Sequence, residues 1–108
     1  MDMYQALADP TRRHILEILA KKGKLSASDI YSEFSVSHPA ISQHLKVLRE
    51  AHLVDMEKKA QQHIYKINPK KMSELEQWFH EMTRQWNARF DRLEKVLEAE
   101  KRMEVNKK

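Results

Sequence analysis

The chain has no cysteine and a single glycine among its 108 residues, and each shortage closes off chemistry. Without a thiol there is no disulfide, no thiolate metal ligand and no cysteine nucleophile. One glycine cannot build a glycine-rich phosphate loop, and no Ser/His/Asp order or metal-ligand spacing stands out, so the expectation is a protein that is not an enzyme and needs no cofactor. No stretch approaches the ~18 to 20 apolar residues of a membrane span, and the first residues lack a signal-peptide core. A cytoplasmic protein without membrane insertion is expected. Charge of one sign is also in short supply: 20 Lys and Arg stand against 16 Asp and Glu, a net +4. Divided at Asn68, each part carries ten basic and eight acidic residues, so neither is a basic tail. A polyanionic partner fits this balance only through local arrangement.

The local arrangement centres on residues 35–54, SVSHPAISQHLKVLREAHLV. Ser37 can cap a helix, Pro39 falls in its first turn where a missing N–H costs little, and Ile41, Leu45 and Leu48 recur on one face. At about 100° per residue, Pro39, Ser42, Gln43, Lys46 and Glu50 point the other way. That face is small and polar. Ser and Gln near the helix tip, followed by Lys46 and Arg49, suit a helix whose tip meets base edges while its flanks meet phosphates.

The rest of the chain arranges itself around this helix. Met3 to Ala8 forms a short helix, and Asp9-Pro10 is a cap and first-turn pair opening a second, whose buried face is Ile15, Leu16, Ile18 and Leu19 and whose C-terminal cap is Gly23. Arg12 and Arg13 either pair with an acidic neighbour and solvent or touch phosphate. Lys24-Leu25 is long enough for one bridging strand. Ser26 to Asp29 resembles a capping box that opens a short helix through Phe34, with Ile30 and Phe34 facing the core. About three residues separate it from the helix near His38, which makes the pair a helix-turn-helix. Beyond Ala51 the period changes: Leu53, Val54 and Met56, then Ile64, Tyr65 and Ile67, flank a polar segment, which reads as a β-hairpin. Its tip, Lys58 to His63, holds no Gly, Asn or Asp, so a longer mobile loop is expected over a tight turn. A basic hairpin at this place is a wing.

Asn68-Pro69 opens one long helix, with fraying expected from Val105 to Lys108. Phe79, Met82, Trp86, Leu93, Val96 and Met103 sit at alternating three- and four-residue intervals, interrupted by Arg89 and Glu100, with Leu75, Trp78, Phe90 and Leu97 alongside. So much aromatic surface implies a partner helix, most simply from a second copy. The expected interface is Trp78, Phe79, Met82, Trp86, Phe90, Leu93, Val96 and Leu97; a hydrophobic ligand is the other occupant considered. The fold class is therefore mainly α with a small β-hairpin: a winged helix-turn-helix over 1–68 and a C-terminal dimerisation helix over 69–108, forming a single structural domain.

DPTRRHILEIL, VSHPAISQHLKVLREAHLV and HIYKI together resemble the ArsR/SmtB-type winged-helix repressors, in the branch with a long C-terminal helix. The resemblance runs from Tyr4 to about Ile67. It implies a homodimer joined through terminal helices that binds a roughly two-fold symmetric double-stranded DNA operator as a repressor, in some cases of its own operon. Position by position, it places DNA against the helix carrying Ser37, His38, Ser42, Gln43 and Lys46, with Arg49 following, and against a wing carrying Lys58, Lys59, Gln61 and Gln62. The chain departs from the family at His52, where many relatives have Gly, and at Ala60-Gln61, where Gly-Arg is common. Metal-sensing relatives use paired thiolates or Asp and His pairs on the C-terminal helix. Here only His80 follows the wing, and Glu76 with His80 reads as an ordinary i,i+4 contact, so no metal site is expected. The aromatic-rich C-terminal helix offers an apolar surface where a protein or apolar-ligand effector is expected. Of the other histidines, His44 is expected to be packed and hydrogen-bonded, and His38 exposed. The competing reading is a winged-helix protein-interaction module that dimerises without binding DNA.

Overall fold

The computed structural model describes residues 1–106. In chain order the elements are α1 (Met3–Ala6), α2 (Pro10–Lys22), β1 (Leu25–Ser26), α3 (Ala27–Ser32), α4 (His38–Glu50), β2 (Val54–Lys59), β3 (Gln62–Ile67) and α5 (Pro69–Asn106). They fall into two compact units, Met1–Met72 and the chain from Ser73 on.

Local chemistry starts each helix. The Asp2 carboxylate accepts from the Gln5 N–H at 2.8 Å while the Gln5 side chain accepts from the Asp2 N–H at 3.0 Å, a reciprocal cap for α1 that the sequence reading missed. Asp9 accepts from the Arg12 N–H at 3.0 Å, with Pro10 in the first turn. Asn68 accepts from the N–H groups of Lys70 and Lys71 at 3.0 and 3.2 Å. Gly23 ends α2 at φ 87, a conformation that a Cβ disfavours. Helix α5 continues to Asn106, so its backbone is helical over the first two residues of the expected fraying. Lys107 and Lys108 lie outside the described residues.

The core of the first unit is aliphatic. Ile15, Leu19, Ile30, Ile41, Leu45, Leu48, Leu53 and Val54 are all fully buried, which places the stripes of α2 and α4 and the hairpin base in one interior. Three boundaries move, the first being that of α1, which ends at Ala6 and not at Ala8. The bridging strand is Leu25–Ser26, one residue later than the spacing suggested, because Leu25 pairs with Tyr65 and Ser26 with Ile64 in a sheet ordered β1-β3-β2. Helix α3 stops at Ser32 and not at Phe34. Phe34 is half-buried beyond its end, its ring edge-on to His14 at 5.0 Å.

The hairpin corrects a further expectation. Six cross-strand pairs run antiparallel from Val54↔Ile67 to Lys59↔Gln62, leaving only Ala60 and Gln61 as a tight loop. Ala60 takes φ 56, the left-handed region where glycine is favoured. The ladder explains why the loop is short without a glycine: Val54, Met56, Tyr65 and Ile67 share the face that carries buried and half-buried apolar residues, which fixes the register. A longer loop would break the outer pairs, against a cost of about 1 to 2 kcal/mol for a left-handed alanine.

Candidate nucleic-acid interface

Helix α4 separates its faces cleanly. Ile41, Leu45 and Leu48 are at most 1% exposed, while Ser37, His38, Ser42, Gln43, Lys46 and Arg49 are all exposed. The Ser37 hydroxyl accepts from the Ala40 N–H at 3.3 Å and leaves the helix tip open to solvent. The His38 ring, in the first turn, stacks on Tyr31 of α3 with centroids 4.5 Å apart and planes inclined by 12°. This contact, which no spacing rule reveals, ties the tip of α4 to the preceding helix.

The far end of α4 is closed by His52 at φ 61. Its N–H donates to the Arg49 carbonyl and the Leu53 N–H to the Leu48 carbonyl, each at 3.0 Å, the paired bonds of a left-handed helix stop. Histidine here takes the place that glycine favours, at some steric cost.

Behind the exposed face, Arg12 fills a structural role that neither sequence reading anticipated. Its guanidinium donates to the carbonyls of Ala6 at 2.6 Å and Gln5 at 3.2 Å, and lies 3.3 Å from His44 Nδ1. Arg13 donates to the Leu7 carbonyl at 2.7 Å. Both arginines therefore satisfy carbonyls at the end of α1, as cations at a helix C-terminus do. Because a guanidinium only donates, His44 Nδ1 accepts, which makes His44 the packed, hydrogen-bonded histidine expected of it. Asp9 Oδ2 lies 3.9 Å from the same nitrogen. The Arg12 N–H at its cap holds the Asp9 carboxyl below the ordinary aspartate value, with the Arg12 charge adding to the effect.

On the wing, Lys58, Lys59, Gln61 and Gln62 are exposed. Lys58 pairs with His63 and Lys59 with Gln62, so the two lysines occupy opposite faces of the ribbon. The eight expected interface residues of α5, from Trp78 to Leu97, are all between 40 and 68% exposed. Trp78 and Phe79 meet edge to face at 5.1 Å. Among the described residues no group of three or more His, Cys, Asp or Glu side chains could hold a metal ion.

The family model described as bacterial regulatory protein, arsR family, matches residues 9–56. The chain is 36% identical over 77 residues to the transcriptional repressor SdpR of Bacillus subtilis, an alignment covering 71% of this chain and 84% of that protein. The chain belongs to the ArsR family. A second relative, the HTH-type transcriptional regulator Rv2034 of Mycobacterium tuberculosis, is 43% identical over 67% of this chain and 66% of its own length. Among solved structures, an ArsR-like transcriptional regulator from Rhodococcus sp. RHA1 aligns over 86% of this chain and 87% of its own, with a TM-score of 0.73 at 26% identity. The winged helix-turn-helix and the long C-terminal helix are thus those of ArsR-family regulators. The protein is a DNA-binding transcriptional regulator, a role that is not enzymatic, and the DNA-free alternative is not favoured. No helix among the described residues is long and apolar enough to cross a membrane.

Proposed function

We propose that this ArsR-family protein is a homodimeric repressor in the cytoplasm, acting on a roughly two-fold symmetric operator and in the first instance on its own operon. The observation that carries this reading is the face of α4: Ser42, Gln43 and Lys46 exposed on one side, Ile41, Leu45 and Leu48 buried on the other. Ser42 and Gln43 offer hydrogen bonds to base edges in the major groove. Lys46 and Arg49 meet phosphates, Ser37 and His38 sit at the tip, and the wing adds Lys58, Lys59, Gln61 and Gln62. Ala60-Gln61 at the tip puts no arginine into the minor groove, so the wing contributes backbone contacts.

The exposed apolar side chains of α5 supply the dimer contact: Trp78, Phe79, Met82, Trp86, Phe90, Leu93, Val96 and Leu97. Derepression acts through the same surface, by a protein or apolar ligand that engages α5. Titration of a promoter duplex tests the assignment. Ser42→Ala and Gln43→Ala each weaken operator binding by about 1 to 3 kcal/mol and relax sequence preference, while Lys46→Ala weakens all duplexes alike and lowers the salt slope by about one. Parent-like binding by both Ser42 and Gln43 variants would remove the assigned reading face.

A further inference from the structure

The first turn of α4 is short of backbone donors. A helix tip ordinarily meets a phosphate through its unbonded N–H groups. Here Pro39 has no N–H to offer, and the Ala40 N–H is taken by the Ser37 hydroxyl at 3.3 Å, which leaves the N–H of His38 at the start of the helix. A phosphate at this tip therefore calls for a side-chain donor. The His38 imidazole is the one at hand: it is exposed, and among the described residues its ring nitrogens have no hydrogen-bond partner.

The ring is also restrained. It lies flat on Tyr31 of α3, with centroids 4.5 Å apart and planes inclined by 12°. Tyr31 is half-buried, and its neighbour Ile30 is in the core at 1% exposure, so the platform belongs to the packed body of the first unit. Stacking covers one face of the imidazole and leaves its nitrogen-bearing edge open. Ser42, Gln43 and Lys46, the exposed residues further along α4, have no such restraint: among the described residues their side chains make no hydrogen bond, ion pair or ring contact.

Resting on the reading of α4 as the DNA-facing helix, we propose that His38 donates a hydrogen bond to a backbone phosphate of the operator and that Tyr31 is the positioning residue that holds the imidazole for it. The partner is a phosphate and not a base because of where the ring leans. In a helix-turn-helix the first helix crosses the backbone while the second enters the groove. Here α3 is the first helix, so a ring laid flat on Tyr31 is held on the backbone side of the tip. Positioning matters because an exposed imidazole otherwise spreads over its staggered rotamers and loses that freedom on binding. Holding one rotamer in the free protein removes this cost, worth roughly twofold to tenfold in affinity for one side chain.

Anisotropy titrations of the full chain at fixed salt, on the promoter duplex and on an unrelated one, test the pair. His38→Ala should weaken both duplexes by about tenfold, as loss of a bond to a charged group does, without changing the preference between them. Tyr31→Leu should weaken both by about threefold to tenfold, and Tyr31→Phe, which keeps the ring, should bind within about twofold of the parent. In a His38→Ala background, Tyr31→Leu should have no further effect. An equal loss in that background would make Tyr31 a merely structural residue and overturn its positioning role. A change of sequence preference in His38→Ala would show a base contact and overturn the phosphate assignment. Should Tyr31→Leu unfold, ethylation interference with the exposed His38→Ala variant decides: one phosphate in each half-site should matter to the parent and not to the variant, and an unchanged pattern would overturn the contact. Parent-like binding by Gln43→Ala and Lys46→Ala in the same titrations would instead remove the reading of α4 itself.

Discussion

Ala60 and His52 are the two non-glycine residues with positive φ among the described residues, at 56 and 61. Each holds a left-handed conformation that costs an L side chain about 1 to 2 kcal/mol, against the smaller entropy that glycine loses on folding. Ala60→Gly and His52→Gly should therefore each stabilise the protein by about 0.5 to 1 kcal/mol, measured by urea unfolding at unchanged m-value. Destabilisation by Ala60→Gly would mean that its Cβ makes a contact worth more than the strain. The two positions differ in how legible they were. His52 stands directly after the last apolar residues of a capped helix, where a left-handed residue is a standing expectation. Ala60 has no such signal, since its conformation follows from strand register fixed by Tyr65 and Ile67, several residues away. The contacts of Arg12 to α1 and of Tyr31 to His38 were equally hidden, because both depend on how helices cross.

Helix starts other than that of α1 were legible because each is decided within four residues. Asp9, Ser37 and Asn68 all cap the helices that the sequence assigns them, and each accepts an N–H from the first turn. Helix ends were less so: α3 stops at Ser32, and Phe34 beyond it packs edge-on against His14. The Asp9 cap has a pH consequence. Its carboxyl is depressed below the ordinary 3.8 in the folded state, chiefly by the Arg12 N–H. A group depressed on folding stabilises fully above its unfolded value, and that stability is lost as pH falls through the folded value. Asp9→Ala should cost about 1 kcal/mol at neutral pH, with the gap to the parent closing below about pH 4. An unfolding series from pH 7 to pH 3 that shows a constant difference would point to lost packing in place of the cap. In α5 the element's own chemistry is its exposed seam. Trp86→Glu sets a charge at its middle and should convert a micromolar dimer to monomer in sedimentation while helix content is kept. A Trp86→Glu dimer as tight as the parent would move the interface elsewhere.

For the molecule as a whole, membership in the ArsR family fixes the reading unit and leaves the signal to be argued from donor chemistry. There is no thiol, His80 is the only histidine beyond the wing, and the described residues bring no three metal donors together. An effector shifts the protein only by its differential affinity for the DNA-bound and free states, and a metal without a site has none. Zinc, cobalt or arsenite in modest excess should leave operator affinity unchanged in a gel-shift titration. Release by zinc that disappears in His80→Ala would instead establish a site at Glu76 and His80. The two faces of α4 were legible because its apolar residues recur at one-face spacing, whereas whatever covers the exposed seam of α5 cannot be read from its own spacing. The central claim is that two recognition helices in one dimer read successive major grooves. Protection mapping of the protein's own promoter region tests it most directly. Two related, inverted half-sites with centres about 10 bp apart are the predicted result, with protection weakening as salt rises. Uniform protection along the fragment, or none at low salt, would contradict it.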